Sequence, residues 1–279
     1  MSIKLMRKPA LLLIVVLVIA SCRSQDLIQP GDSIQVAFDK AYSLYEQERW
    51  SDAARAFETV VNISRGTDFG RDAQFYLAES YFNNRQYIVA ASEYERFANF
   101  YPNAERREVA DFKRALSYYR LSPRYNLDQS YTHRAIERFR LFMERYPNSE
   151  RVEEVGEYIE ELRNKLARKN YNAAEFYMRT DRYNAAAVYF ETVIENYPES
   201  YWAERALARR IEAYILYADN SVSARQAERY QMAIESYERY LQLFPRGENR
   251  SNVEDLYDRA RTELQEIEGD TDEATARSN

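Results

Sequence analysis

The chemistry open to this chain rests on very few reactive side chains. Cys22 is its only thiol and His133 its only imidazole, so neither a His/Cys metal cluster nor an intramolecular disulfide can be assembled. His133 stands in a Thr-His-Arg-Ala context at the start of a helical pattern, which reads as a surface or capping position rather than a base. Adjacent acids such as Glu153-Glu154 and Glu160-Glu161 lie in charged helical faces, where neighbouring carboxylates face solvent instead of forming a tuned acid/base pair. The GxGxxG, GxxxxGK[ST] and GxSxG motifs are absent, and 6 glycines leave no material for a phosphate-cradling loop. The expectation is a chain with no enzymatic activity, no metal and no cofactor. Aromatic surface it has in quantity, with 25 Tyr and 13 Phe, and the chemistry of those rings is stacking and apolar contact.

Cys22 has one reaction available because of where it stands. Lys4, Arg7 and Lys8 form a positive n-region, Ala10 to Ala20 an apolar core of 11 residues, and Ile19-Ala20-Ser21-Cys22 its end. A membrane-spanning helix needs about 20 apolar residues, so this run reads as a secretory signal. Small residues at Ala20 and Ser21 suit a signal peptidase. The motif resembles a bacterial lipobox, in which the cysteine receives lipid and becomes the mature N-terminus. Residues 1–21 are therefore expected to be a lipoprotein signal peptide and residues 22–33, polar and containing Pro30-Gly31, a lipidated tether. The covalent lipid on Cys22 is the one attached group expected.

The elements that must carry the aromatic rings are helices. Only 6 Gly and 7 Pro occur in 279 residues, too few turn residues for a β-rich domain. Four times an aromatic directly followed by proline closes a helical pattern: Tyr101-Pro102, Tyr146-Pro147, Tyr197-Pro198 and Phe244-Pro245. In the second unit Leu77, Ala78, Tyr81, Ala90, Tyr94, Phe97 and Pro102 fit the tetratricopeptide pattern at each diagnostic place except that of the tryptophan, where Gln74 stands. Ala41, Leu44, Ala53, Phe57 and Val60 place a first unit that ends in Arg65-Gly66 instead of a proline, and Ala173, Ala174, Tyr177, Ala186, Phe190 and Val193 place a fourth. The third and fifth share the second-helix half, through Ala135, Phe139 and Phe142, and through Ala233, Tyr237 and Tyr240.

The prolines lie 45, 51 and 47 residues apart, above the roughly 34 of the repeat, so each gap holds extra chain. The excess is assigned to a loop from Leu121 to Ser130, a loop from Asp219 to Gln226, and an amphipathic helix from Arg151 to Lys169 running on into the fourth unit. That helix carries Val152, Val155, Ile159, Leu162 and Leu166 on one face. A last helix is expected from Asn252 to Ile267, with disorder from Gly269. The predicted fold is all-α, a tetratricopeptide-repeat solenoid of about five helix pairs with a long connecting helix between repeats 3 and 4. Residues 34–147 hold repeats 1–3, residues 148–268 the spine helix and repeats 4–5, and residues 269–279 a disordered tail.

In such a solenoid the first helices line the concave surface. The positions expected to face that groove are Phe38, Tyr42 and Tyr45 in the first unit, Phe75, Glu79 and Phe82 in the second, and Phe112 and Tyr119 in the third. Seven of these eight are aromatic, and rings pointing into an open groove leave apolar area exposed, the mark of a site for a partner chain. The ligand expected is an extended or hairpin peptide with apolar and aromatic side chains. Net charge is −6, and about −9 once the three leader cations are removed, so nucleic acid, whose affinity comes from cations on the phosphates, is not an expected partner.

The stretch from Asn126 to Glu150, NLDQSYTHRAIERFRLFMERYPNSE, and that from Lys169 to Ser200, KNYNAAEFYMRTDRYNAAAVYFETVIENYPES, carry a more specific likeness. Asp128-Gln129, Thr132, Ala135 and Phe139, then Tyr146-Pro147-Asn148-Ser149, then Ala174-Glu175-Phe176-Tyr177, together with the lipobox and five-unit layout, resemble the BamD family of outer-membrane β-barrel assembly lipoproteins. The resemblance implies a scaffold anchored in the outer membrane by its lipid and facing the periplasm. Its N-terminal half would receive the terminal signal strand of unfolded β-barrel substrates, residues 148–268 would dock on the periplasmic domains of the barrel insertase, and accessory lipoproteins would join. The family's lipid-bearing cysteine corresponds to Cys22, and Arg23 after it agrees with sorting to the outer membrane. Tyr189 is a departure, since many members carry there an arginine linked to the insertase contact. Two other readings are a generic repeat lipoprotein of envelope or cell-wall machinery and a glycan-binding uptake lipoprotein whose rings stack on sugars.

Overall fold

The computed structural model describes the backbone of residues 28–278 and the side chains of residues 28–269. The leader and Cys22 lie outside the described residues. Among the described residues the regular elements are helices: α1 (Ile34–Glu46), α2 (Trp50–Ile63), α3 (Asp68–Asn83), α4 (Tyr87–Phe100), α5 (Arg107–Leu121), α6 (Ser130–Arg145), α7 (Val152–Arg179), α8 (Tyr183–Asn196), α9 (Tyr201–Asp219), α10 (Ser223–Leu243) and α11 (Arg250–Ser278). They form five consecutive pairs and a last helix, the tetratricopeptide arrangement expected from the spacing of alanines and aromatics.

One device ends the second helix of a repeat four times. Tyr101, Tyr146, Tyr197 and Phe244 are the C-caps of α4, α6, α8 and α10, with φ of −126°, −125°, −138° and −130° and ψ of 63°, 61°, 51° and 61°. A residue before proline is pushed out of the α region, so the helix stops there. The aromatic N–H still bonds back to Phe97, Phe142, Val193 or Tyr240. Its carbonyl then accepts from Ala104, Ser149, Ser200 or Gly247 N–H at 3.0–3.1 Å, closing a turn with proline at its second position. The first repeat, lacking the proline, turns instead through Gly66 at φ +81°.

A second device joins the two helices within repeats 1, 2 and 4. Glu48, Arg85 and Asp181 have φ of 57°, 60° and 57°. Glu48 N–H bonds to Tyr45 O at 2.9 Å and Arg49 N–H to Leu44 O at 3.0 Å; Arg85 and Gln86 repeat this on Phe82 and Tyr81, Asp181 and Arg182 on Met178 and Tyr177. This is the Schellman geometry, in which one left-handed residue satisfies two orphan carbonyls of the helix end. None of the three is glycine, so each carries the steric cost of its Cβ.

Two compact units divide at Arg114/Ala115, inside α5. In the first unit Ala37, Ala41, Ala53 and Ala73 are fully buried and let α1, α2 and α3 approach closely around Phe57 and Val60. In the second, Ala167, Ala174, Ala186 and Ala206 do the same around Phe190, Leu207 and Ile211. The long helix expected over Arg151–Lys169 is α7, 28 residues, and it does continue as the first helix of the fourth repeat. Val155, Leu162 and Leu166 of its apolar face are buried. Asn164 on its outer side accepts the Tyr201 N–H at 3.0 Å and so caps α9, whose own N-cap Ser200 makes no side-chain cap bond.

The backbone departs from the sequence expectation in two places. The loop expected from Asp219 to Gln226 shrinks to residues 220–222, because Ala224, Arg225 and Gln226 favour helix and no breaker intervenes. Helix α11 extends to Ser278, through the tail expected to be disordered, because Gly269 costs only ~1 kcal/mol in a run otherwise rich in helix formers. No helix among the described residues is long and apolar enough to cross a membrane.

The left-handed turns yield a direct test. Arg85→Gly removes the Cβ clash without touching packing, since Arg85 is exposed. It should stabilise the protein by roughly 1 kcal/mol, read as a higher denaturation midpoint by circular dichroism; a lower midpoint would refute the assignment of strain to that turn.

Candidate functional site

The aromatic side chains of α1 follow a helical stripe, one turn apart, and stand partly exposed: Phe38, Tyr42 and Tyr45. Phe38 stacks parallel on Tyr42 at 6.1 Å and Tyr42 on Tyr45 at 6.1 Å. Sequence reasoning missed the ring that organises them. Tyr76 of α3 meets Phe38 at 6.3 Å, Tyr42 at 5.0 Å, Tyr45 at 5.1 Å and Phe57 at 5.6 Å. Phe69 and Trp50 extend the cluster at its two ends, against Phe38 at 5.6 Å and Tyr45 at 5.1 Å. The spacing of Phe38, Tyr42 and Tyr45 at i, i+4 and i+7 was the signal for a matching ring on α3, and the packing of Phe75 against Phe97 and Tyr94 decides that it is Tyr76 and not its neighbour.

Phe75 is corrected accordingly. It is 7% exposed and packs inward on Phe97 at 5.4 Å and Tyr94 at 6.3 Å, so it belongs to the core between α3 and α4. Phe112, 3% exposed, is likewise core and not groove. Glu79 is 8% exposed and engaged from inside the protein. Its carboxylate accepts from the Tyr94 hydroxyl and, at 3.3 Å, from Lys113 Nζ. A buried carboxylate is tolerated when paired and hydrogen-bonded in this way, so Glu79 is a structural acid of the unit. Phe82 is partly exposed, with Lys113 Nζ 4.5 Å over its ring. The structure thus brings Phe38, Tyr42 and Tyr45 into one cluster and places Glu79 and Phe82 together around Lys113. Arg106 lies over Phe75 and Tyr76 at 5.2 and 5.1 Å, adding a cation to the aromatic surface.

Tyr119 belongs to the second unit. It packs on Tyr158 at 4.6 Å and Phe139 at 6.4 Å and donates its hydroxyl to Glu161, so the third repeat's tyrosine is tied to α6 and α7. Elsewhere in that unit Tyr189 is exposed and forms, with Tyr177 at 5.0 Å and Phe176 beyond it at 5.8 Å, an outward aromatic patch extended by Val188. His133 is exposed. No group of acidic, histidine or cysteine side chains suited to a metal occurs among the described residues.

Successive helix pairs of this kind define a helical-repeat protein. A family model described as YfiO, outer membrane lipoprotein, matches residues 30–229. Among curated relatives, an outer membrane protein assembly factor BamD of Rickettsia prowazekii is 28% identical over 217 residues, covering 76% of this chain and 85% of that one. A putative BamD of Aquifex aeolicus is 27% identical over 246 residues, covering 87% and 79%, and the Caulobacter vibrioides BamD is 24% identical, covering 78% and 74%. The chain belongs to the YfiO/BamD family of outer membrane lipoproteins.

Burial, reinforced by the Glu79 carboxylate, pushes the Tyr45 phenol up to about 12. The folded state therefore holds this proton more tightly than the unfolded chain does, and its contribution to stability, full below pH ~10, is lost as pH rises toward 12. The urea midpoint should fall over that window and fall less in Tyr45→Phe, with one phenol fewer in the late step of an ultraviolet titration; identical profiles would place Tyr45 outside the cluster.

Proposed function

We propose that this protein is a lipid-anchored scaffold of outer-membrane protein assembly, held by the lipid on Cys22 at the periplasmic face and binding the terminal signal strand of unfolded β-barrel proteins. The observation that carries the strand-binding role is the partly exposed, mutually stacked stripe of Phe38, Tyr42 and Tyr45 backed by Tyr76. Rings held by one another expose flat apolar faces at low entropic cost, and a strand whose side chains alternate can lay aromatic residues against them. Glu79 supports this surface from beneath instead of meeting the ligand, since Tyr94 and Lys113 occupy its carboxylate. Residues 148–268 would dock on periplasmic domains of the barrel insertase, and accessory lipoproteins would join. The outward patch of Phe176, Tyr177 and Tyr189 supports an apolar contact at the place where many relatives carry arginine. Membership of a family of outer membrane lipoproteins supports the anchor.

Phe38→Ala with Tyr42→Ala should lower photocrosslinking to the terminal strand of a barrel protein by at least tenfold, equivalent to ~1.4 kcal/mol, with far-ultraviolet circular dichroism unchanged. Undiminished crosslinking at wild-type helicity would sink the strand-binding role. Cys22→Ser should abolish palmitate labelling and move the protein out of the membrane fraction; retained labelling would place the lipid elsewhere.

A further inference from the structure

Between α2 and α4, over α3, the first unit contains a cavity of about 630 Å³ that the aromatic stripe of α1 does not line. Its floor is Gln74 and Leu77 of α3 with Glu93 of α4. Gln74 and Glu93 are more than nine-tenths buried, at 4% and 7% exposure. Gln74 Nε2 donates to Glu93 Oε2 at 2.8 Å, which leaves Oε1 as the acceptor end of the amide. The other Glu93 oxygen accepts from Arg96 Nη1 at 3.1 Å, and Arg96 itself stands at the open rim. Tyr81 and Phe100 wall the space, Phe100 being 70% exposed at its mouth.

The repeat pattern explains why this space is empty. Gln74 occupies the place where the pattern carries tryptophan, and the shorter side chain leaves unfilled volume that a packed interior would not tolerate without loss of contacts. The volume falls in the range of ligand sites. Three features choose the ligand. The lining charges cancel, Glu58 and Glu93 against Arg65 and Arg96, so the occupant is neutral. The buried polar groups at the floor are acceptors, Gln74 Oε1 and the Glu93 carboxylate, whose Oε1 is bonded once and keeps a further lone pair, so the occupant is a donor. The walls are aromatic and aliphatic, so its body is a large apolar ring. Indole, a ring system whose only polar group is an N–H donor, meets all three.

We propose that this cleft takes the indole of a tryptophan presented by a partner polypeptide, its Nε1–H donating to Glu93 or Gln74 Oε1 and its ring lying on Leu77 and Tyr81. The exposed Phe100 continues the apolar surface beyond the cavity, for the residues flanking that tryptophan, which is why the occupant is a chain and not a free amino acid. The protein's own tryptophans are engaged elsewhere, Trp50 on Tyr45 at 5.1 Å and Trp202 on Tyr171 at 4.9 Å, and residues 1–27 contain none. This inference does not rest on the signal-strand reading of α1.

The test is amide chemical-shift mapping of the 15N-labelled full chain with N-acetyl-L-tryptophanamide. Amides of residues 58–66, 74–81 and 93–101 should shift. Gln74→Trp, which supplies the indole from within, should weaken binding at least tenfold and raise the melting temperature, and Gln74→Ala, which keeps the space but removes the acceptor, should weaken binding several-fold. Should the tryptophan variant not fold, the alanine variant still decides. Equal shifts from N-acetyl-L-leucinamide or N-acetyl-L-argininamide, undiminished binding by both variants, or no shift in the wild type would each overturn the proposal.

Discussion

The residue before a proline cannot stay in the α region, and this constraint sets the frame in which everything else is arranged. Four helices end on an aromatic residue in one and the same backbone conformation, and each ending passes into the same proline turn. The aromatic at the stop is also a packing element: Tyr101 lies on Phe97 at 5.6 Å, Tyr146 on Phe142 at 5.1 Å and Phe244 on Tyr240 at 5.8 Å. A single dipeptide therefore terminates a helix, turns the chain and anchors the turn to the core. With the ends defined in this way, fully buried alanines set how closely neighbouring helices approach.

Charge plays a supporting part in the same scheme. Arg209 bridges Glu175 of α7, at 2.7 Å, and Glu212 of α9, while Arg210 of α9, at 3.0 Å, and Arg239 of α10 converge on Glu191 of α8. These pairs link successive repeats of the second unit at partly shielded positions, where breaking one partner costs more than the pair contributes. Glu79 with Lys113 and Tyr94 is the equivalent in the first unit. Residues 205–210, a run with three arginines, are consumed in this way and offer no basic patch: Arg205 reaches Glu248 and stacks on Tyr201.

The first unit contrasts two solutions to the placing of large side chains. On α1 and α3 the rings support one another and remain partly exposed. Between α2 and α4 a large side chain of the repeat pattern is missing, and a buried glutamine–glutamate pair lines the resulting space. Both features lie on α3, on faces set apart by helical rotation, with Tyr76 turned to one and Gln74 with Leu77 to the other.

Much of the fold was legible in the sequence because proline and alanine act locally or at fixed helical offsets. Proline spacing located the long α7 and the loop before α6, and the alanine positions identified the helix pairs. The lipobox reading of Cys22 likewise belongs to the sequence, being a matter of residue order alone. The left-handed turns at Glu48, Arg85 and Asp181 were invisible, since no glycine marks them and only the hydrogen bonds closing each helix pair impose them. At the candidate site the stripe on α1 was readable from its period. Its counterpart on α3 was not, because Phe75 and Tyr76 differ by one residue and only packing against Phe97 and Tyr94 decides which ring turns inward. Sequence by itself determined where the four proline-terminated helices stop and how the helix pairs repeat; tertiary structure alone decided which aromatic faces remain exposed, because exposure depends on neighbours brought together from different repeats.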